Sequence, residues 1–288
     1  MLENRKIDSK LSGEKREVRT LAPTIKPLLV WIALLSATLC RAEPRFTDAT
    51  QAAGLAFRNW YGNNNALTIL ETTGSGAAFF DFDNDGLLDL YIVNGGLGFD
   101  GPRYADLPRD VLPPANGEIP RNALFRNQGD GTFADISQQA GVDDGRYGSA
   151  CAFGDWDNDG DLDLFAGNYV AFDPATTLLP GEQRDGFFGG QRGIASVASP
   201  EAFAAEPDIL YRNQGDSTFE DISQQAGLNQ TLGKTLGATF LDWNDDGALD
   251  LYVANDATPN FLYTNQGDGT FAEEALALGV AYDGDGQA

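Results

Sequence analysis

Hydrophobic and polar residues alternate with a period of two in several short stretches of the chain, as they do over 88–92, 162–166 and 249–253. Such alternation predicts half-buried β-strands. Each stretch lies at the end of an acidic segment, and each acidic segment follows a run of small and aromatic residues such as 77–80. The acidic segments are therefore predicted to be the turns of β-hairpins.

A second hairpin pattern alternates with the first. Residues 124–136 form two strand-like stretches around a Gln-Gly-Asp-Gly sequence, and Asp-Gly is a strong turn signal. Closely related sequence recurs around Phe219 and Phe271, while only its tail is found around Phe46. Two hairpins in each unit predict a four-stranded blade.

The two patterns together define a repeat whose shortest unit is about 51 residues, close to the length of a propeller blade. The sequence therefore predicts an all-β fold, a partial β-propeller ring with about three four-stranded blades. A strand at 45–49 is expected to close the ring, and 276–288 to begin an incomplete next blade, so that the chain would be the N-terminal part of a longer protein. A half-propeller that dimerises is the alternative. The predicted blades are 74–137, 148–223 and 235–275.

The chain is strongly acidic, with 43 Asp and Glu residues, 19 Lys and Arg residues, no His and a formal net charge of −24. This charge disfavours nucleic acid as a partner. Hydrophobic residues make up 42% of the chain, which predicts a folded core rather than disorder. The lack of His excludes catalysis by a histidine base. The lack of His and the presence of only two Cys residues together argue against a Cys/His zinc site, and two Cys residues are too few for a disulfide framework.

The N-terminal region differs from the rest of the sequence. It contains several basic residues, an apolar stretch at 28–39 and then Cys40-Arg41-Ala42, which predicts a secretory signal peptide at 1–42 and a mature domain at 43–288. The apolar stretch is shorter than the roughly 20 residues that cross a bilayer, so no stable membrane span is expected after cleavage. A membrane anchor, a lipidated Cys40 or a start codon placed too early are the alternatives. The expected location is secreted, periplasmic or on the cell surface.

The three acidic segments share the pattern D-x-[DN]-x-D-G-x-x-D. Positions 1, 3, 5 and 9 turn side-chain oxygen atoms toward one point, position 7 adds a backbone carbonyl, and the glycine at position 6 permits the bend. Oxygen ligands in this number suit Ca²⁺ better than Mg²⁺, so we predict about three bound Ca²⁺ ions. The predicted metal ligands are Asp81, Asp83, Asp85, Leu87 and Asp89; Asp155, Asp157, Asp159, Asp161 and Asp163; and Asp242, Asn244, Asp246, Ala248 and Asp250.

Two alternatives to a calcium loop fit the pattern less well. An EF-hand needs a Glu at position 12 and helices on both sides, whereas Ile92, Ala166 and Val253 stand there within strand-like sequence. A solvated acidic turn without an ion would suit a single copy. In three copies, however, carboxylates packed this closely repel one another unless a cation lies among them.

The acidic loops and their flanks, FDFDNDGLLDLYIVNGG, FGDWDNDGDLDLFAGNYV and LDWNDDGALDLYVAND, resemble the FG-GAP or VCBS repeats of integrin-α-like propellers and of many secreted bacterial proteins. The longer phrases ETTGSGAAFFDFDNDG, LYVANDATPNFLYTNQGDGTF and GVAYDGDGQA resemble the cartilage-acidic-protein-like family, whose members carry a C-terminal ASPIC/UnbV domain. The resemblance implies a calcium-stabilised extracellular propeller used for binding or adhesion. No ASPIC/UnbV domain is found in this sequence, and Asn59 stands where family members often have a His.

The function predicted from these features is a non-enzymatic adhesion module that binds an extracellular protein or glycan. The expected contact surfaces are the insertions at 96–121 and 170–207, for which the alternative is a passive cover over the blades. A propeller-based carbohydrate lyase or dehydratase is a second hypothesis, and a fragment with exposed strand edges is a third. The acid/base candidates for the enzyme, which form no recognisable pair in the sequence, are Glu71, Glu201, Glu206 and Asp256.

Overall fold

The computed structural model of the chain describes residues 46–57, 59, 75–95, 120–171 and 200–286. The predicted signal peptide lies outside these residues. The chain divides into two units, Met1–Asp48 and Ala49–Ala288, and the second contains all the described helices and strands. Within the described part of the chain, no helix is long and apolar enough to cross a membrane.

The described residues of the second unit contain three antiparallel four-stranded sheets and one two-stranded sheet. The first sheet consists of β1 (Ala77–Phe80), β2 (Asp89–Ile92), β3 (Ala123–Asn127) and β4 (Phe133–Asp135). The second consists of β5 (Gly148–Gly154), β6 (Asp163–Asn168), β9 (Ile209–Asn213) and β10 (Phe219–Asp221), with β7 (Val170–Ala171) and β8 (Ala204–Ala205) forming the two-stranded sheet. The third consists of β11 (Thr235–Leu241), β12 (Asp250–Asn255), β13 (Phe261–Asn265) and β14 (Phe271–Glu273). The other described elements are short helices at Ser137–Ala140 and Ala275–Leu278 and a 3-10 turn at Pro200–Ala202.

Each four-stranded sheet is a meander, because the order of its strands across the sheet follows their order in the sequence. The turn between the first two strands of each sheet is an acidic loop, at 81–88, 155–162 and 242–249. All strands of a given sheet lie within one of the three predicted blade ranges. These findings confirm the predicted all-β class and the antiparallel pairing.

The segment before the first sheet contacts β4 in the same way that the second repeat contacts β14. The backbone N–H of Phe133 donates to the carbonyl oxygen of Ala53 at 2.9 Å, and the N–H of Phe271 donates to that of Ala226 at 2.8 Å. Ala53 and Ala226 occupy the same place in the related sequences QAAGL and QQAGL. Residues 46–49 are not part of a strand, so the closing strand expected at 45–49 is not observed over them.

The hydrophobic core lies between neighbouring sheets and extends to the acidic loops. The ring of Phe82, at position 2 of the first loop, lies 6.1 Å from that of Phe219 in the second sheet. The ring of Trp156, at position 2 of the second loop, lies 5.4 Å from that of Phe271 in the third sheet. Both aromatic residues of the loops are buried. Each of these loops is therefore anchored in an interface between two sheets.

Candidate metal centre

The first aspartate of each acidic loop closes the loop onto itself. The carboxylate of Asp81 accepts the backbone N–H of Asp85 at 3.0 Å and that of Gly86 at 2.9 Å. The carboxylates of Asp155 and Asp242 accept the equivalent pair of bonds at 2.9 to 3.1 Å. Because strand pairing fixes both ends of each loop, these bonds hold position 1 at a defined place beside the other acidic positions.

Two positions of each loop have a left-handed backbone conformation. In the first loop, Asn84 at position 4 has a φ of 56° and Gly86 at position 6 has a φ of 86°. Glycine adopts this conformation without strain, and Asn and Asp tolerate it better than other side chains do. The equivalent residues with positive φ are Asn158, Gly160, Asp245 and Gly247. The repeated sequence pattern is thus a requirement of the loop's backbone as well as of its carboxylates.

Carboxylate oxygens converge in the first two loops. In each loop, one oxygen from each of three aspartates lies within 4.8 Å of the other two, and the two sets are Asp81, Asp83 and Asp89, and Asp155, Asp157 and Asp159. The side chain of Asp83 is only 10% exposed, and its Oδ1 has no hydrogen-bond partner among the described residues. A buried carboxylate oxygen without a donor is costly, so this arrangement fits a hard cation such as Ca²⁺.

The third loop differs from the other two. Its position 3 is Asn244, whose Nδ2 donates to Oδ2 of Asp246 at 2.8 Å. In the part of the chain that the structure describes, no three carboxylates of this loop converge as they do in the others. Asp85 and Asp163 also lie outside the two convergent sets. The assignment of the loop residues as ligands, including the position 7 carbonyls, stays a prediction in all three loops.

The aspartate at position 9 is fully buried in all three loops and has structural partners that the sequence pattern does not reveal. Asp163 accepts the backbone N–H of Trp156 at 3.2 Å and that of Asn213 at 2.9 Å. Asp89 and Asp250 accept the equivalent bonds. Burial raises the pKa of Asp163 to about 8 and raises the pKa of Asp89 from its usual value. Position 9 therefore attaches each loop to the third strand of its sheet.

Asparagine side chains connect each later sheet with the preceding acidic loop. Nδ2 of Asn213, at the end of β9, donates to the carbonyl oxygen of Phe82 at 2.8 Å. Nδ2 of Asn265, at the end of β13, donates to the carbonyl oxygen of Trp156 at 2.8 Å. Because Phe82 and Trp156 both stand at position 2 of their loops, the same hydrogen bond is repeated at two successive sheet interfaces.

Two of the acid/base candidates outside the loops have structural contacts near the opposite ends of the strands. Glu206 accepts the backbone N–H of Tyr147 at 3.2 Å, and burial raises its pKa. Asp256 accepts a hydrogen bond from the hydroxyl of Tyr169. Because Tyr169 follows β6 and Asp256 follows β12, this bond joins the second and third repeats.

The two insertions predicted as contact surfaces lie mainly outside the described residues, as does Glu71. At the base of the second insertion, Val170–Ala171 pairs with Ala204–Ala205. Glu201 lies beside this pair, in the 3-10 turn. The predicted role of the insertions therefore stays a prediction.

Comparison with known proteins places the chain among repeat proteins. A family model described as FG-GAP-like repeat matches residues 112–166. Cartilage acidic protein 1 of Xenopus tropicalis is 38% identical over 229 residues, which cover 69% of this chain and 33% of that protein. The human protein of the same name is 26% identical over 193 residues, which cover 56% of this chain and 28% of that protein. The chain is a homologue of cartilage acidic protein 1 with an FG-GAP-like repeat.

This homology confirms the resemblance noted in the sequence, and it spans a third or less of the length of these relatives. The matched FG-GAP-like repeat contains β3 and β4 of the first sheet, followed by β5 and the second acidic loop of the second sheet. One repeat of the family model therefore spans parts of two sheets. The name of the relatives is not that of an enzyme.

Among solved structures, a lectin of Agrocybe aegerita is described by its specific recognition of non-reducing terminal N-acetylglucosamine. It is 17% identical, with a TM-score of 0.32, and the match covers 70% of this chain and 38% of the lectin. That TM-score is too low to support a shared fold or a shared ligand.

Proposed function

We propose that this chain is an extracellular calcium-binding β-propeller module that binds a protein or glycan partner and does not catalyse a reaction. The observation that carries the proposal is the convergence of three carboxylates in each of the first two acidic loops. Three four-stranded meanders with a repeated interface between neighbours, together with the FG-GAP-like repeat, support the arrangement of the sheets as blades.

Calcium is favoured by the donors that the loops offer. The side chains are carboxylates and one amide, all oxygen donors, and Ca²⁺ accepts six to eight such ligands in flexible geometry, whereas Mg²⁺ demands near-ideal octahedral coordination. A bound ion would neutralise the converging carboxylates. In this chain, the backbone carbonyls of Phe82 and Trp156 accept hydrogen bonds from the next sheet, so ordering a loop is expected to stabilise the contact between two sheets.

The extracellular location is proposed from the homology with cartilage acidic protein 1, the FG-GAP-like repeat and the predicted signal peptide. Calcium sites of extracellular modules have dissociation constants on the order of 10⁻⁴ to 10⁻³ M, and we expect the same range for these loops. The partner is proposed to contact the two long insertions. The described contacts of Glu206 and Asp256 are structural and favour no second function.

We expect millimolar Ca²⁺ to raise the melting temperature of the chain and EDTA to lower it, with a smaller effect of Mg²⁺. For a single site with a dissociation constant on the order of 10⁻⁴ M, about 10 mM free Ca²⁺ is 100 times that constant and stabilises the fold by about 2.7 kcal/mol. In a domain of this size, that corresponds to a rise of roughly 5–10 °C. Differential scanning calorimetry of the chain in Ca²⁺, Mg²⁺ and EDTA measures the effect.

Two variants connect the effect with the loops. Asp83→Asn and Asp157→Asn should each reduce the calcium-dependent rise, because each removes one of the converging carboxylates. Asp130→Asn is the matched control, since Asp130 is also a turn carboxylate but is bonded to Thr132 outside the acidic loops. A melting temperature that is the same in Ca²⁺ and EDTA would overturn the calcium proposal.

A further inference from the structure

Arg126 lies against the first acidic loop. It belongs to β3, and its Nη2 is 2.6 Å from Oδ2 of Asp83 and 3.5 Å from Oδ2 of Asp85. These aspartates stand at positions 3 and 5, which are both predicted ligand positions. The side chain of Asp83 is 10% exposed and that of Asp85 is 29% exposed, whereas the side chain of Arg126 is 41% exposed, so the arginine reaches these carboxylates from the solvent side.

The equivalent arginine of the second repeat has a different partner. Arg212 lies opposite Glu220 in the register of β9 and β10, and its Nη2 is 2.7 Å from Oε2 of Glu220. Arg126 lies opposite Ala134 in the matching register of β3 and β4. The cross-strand carboxylate that holds Arg212 is therefore replaced by a methyl group in the first repeat, and the guanidinium of Arg126 turns to the loop.

The third repeat has no arginine at this position. Thr264 stands there, opposite Ala272. The three repeats thus form a natural series at one position of the sheet: an arginine on the acidic loop, an arginine on a cross-strand glutamate, and a threonine. Their acidic loops share one sequence pattern but do not share one electrostatic environment.

We propose that Arg126 acts as an internal cation that competes with calcium for the first acidic loop. This inference rests on the calcium binding proposed above. A guanidinium in contact with two ligand carboxylates repels a divalent ion, and it has to withdraw from these oxygens when the ion binds. The first loop then binds calcium more weakly than it would without the arginine, and it fills after the second loop.

Two variants of the first repeat test the proposal in different ways. Arg126→Thr copies the third repeat and should tighten calcium binding by about tenfold, the effect of one unit charge about 6 Å from a divalent ion in a water-like medium. Ala134→Glu copies the second repeat and offers Arg126 a cross-strand partner, so it should tighten binding while the arginine is kept. Arg212→Thr is the matched control and should change calcium binding less, because the guanidinium of Arg212 is paired with Glu220 and only its charge acts, more weakly, on Asp157 of the second loop.

Isothermal titration calorimetry of the whole chain with Ca²⁺ provides the readout. The gain in affinity from Arg126→Thr should disappear when Asp83→Asn is added, because the arginine acts on calcium through the first loop. Loss of the gain would therefore assign it to that loop. If neither the original chain nor any variant binds calcium, the proposed function fails and the role of Arg126 with it. If calcium binds but Arg126→Thr and Ala134→Glu leave its affinity unchanged or weaken it, the role of Arg126 alone is overturned.

Discussion

Asp208 is a single buried carboxylate whose ionisation we expect to be visible in the stability of the chain. It lies immediately before β9 and is 5% exposed. Its carboxylate accepts the backbone N–H of Asn168 at 2.7 Å and the hydroxyl of Thr235 at 2.9 Å. Burial raises the pKa of Asp208 to about 7, against the opposing effects of these two bonds and of the positive charge of Arg146.

The raised pKa means that the folded chain binds this proton more tightly than the unfolded chain does. The resulting stability is complete below the unfolded pKa of about 3.9 and is lost as the pH rises through about 7. Between pH 5 and pH 8, we expect Asp208 to reduce the free energy of unfolding by roughly 2–3 kcal/mol. Asp208→Asn keeps an acceptor for Asn168 and should remove this part of the pH dependence. Urea denaturation of both proteins in saturating Ca²⁺ is the measurement, and equal pH slopes would contradict the assignment.

The acidic positions of the loops could be predicted at this scale because they lie within nine residues of one another in the sequence. The structural role of Asp163 could not. Its partner Asn213 is 50 residues further along the chain and is bonded through a backbone N–H, which every residue except proline has. Arg126 and Arg212 likewise stand in the same LxRNQGD phrase, and only the cross-strand register distinguishes their partners.

At the scale of the repeat element, two different side chains satisfy the same strand N–H. In the second repeat, the hydroxyl of Ser223 accepts the N–H of Leu210 at 2.9 Å and donates to Asp221. In the third repeat, Ala275 stands in place of the serine, and the carboxylate of Glu273 accepts the equivalent N–H at 3.3 Å. The longer glutamate reaches the strand directly, whereas the aspartate reaches it through the serine.

Ser223→Ala should therefore destabilise the chain by about 1–3 kcal/mol, because it leaves the buried N–H of Leu210 without an acceptor. Adding Asp221→Glu copies the third repeat and should recover part of that loss. Urea denaturation in saturating Ca²⁺ compares the single and double variants. A double variant no more stable than Ser223→Ala would show that the two arrangements are not interchangeable.

The hairpins could be predicted from sequence because a period of two and an Asp-Gly turn are local signals. The helices at Ser137–Ala140 and Ala275–Leu278 could not, since four residues are too few to show helical periodicity. Each helix ends at a glycine with a left-handed backbone, and in the sequence these glycines look like ordinary turn residues.

At the scale of the whole molecule, the packing between sheets depends on residues far apart in the sequence. A Cβ at Gly154 in β5 would lie 2.8 Å from the ring of Phe240 in β11, so the second and third sheets approach closely only because this residue is glycine. The sequence marks Gly154 and Phe240 as parts of two strands. Which faces of the strands meet is decided by the packing of the sheets and has no local sequence signal.

Asn265 connects the third sheet to the second acidic loop. Its Nδ2 donates to the carbonyl oxygens of Trp156 at 2.8 Å and Leu249 at 3.1 Å, and its Oδ1 accepts the N–H of Gly267 at 2.9 Å. Asn127 is the matching residue of the first sheet, and its described side-chain bonds stay within that sheet. The two asparagines therefore differ in the hydrogen bond to a neighbouring repeat and in burial, since Asn265 is 6% exposed and Asn127 is half-buried.

Asn265→Asp replaces the donor by an oxygen that faces two carbonyl groups, one of them the buried carbonyl of Trp156. We expect a loss of roughly 2–3 kcal/mol for Asn265→Asp, compared with about 1 kcal/mol for Asn127→Asp, by denaturation in EDTA. Because Trp156 stands at position 2 of the second loop, the calcium-dependent rise in melting temperature should also shrink in Asn265→Asp and persist in Asn127→Asp. Equal losses in the two variants, with equal calcium responses, would mean that the bond between the repeats does not couple the loop to the next sheet.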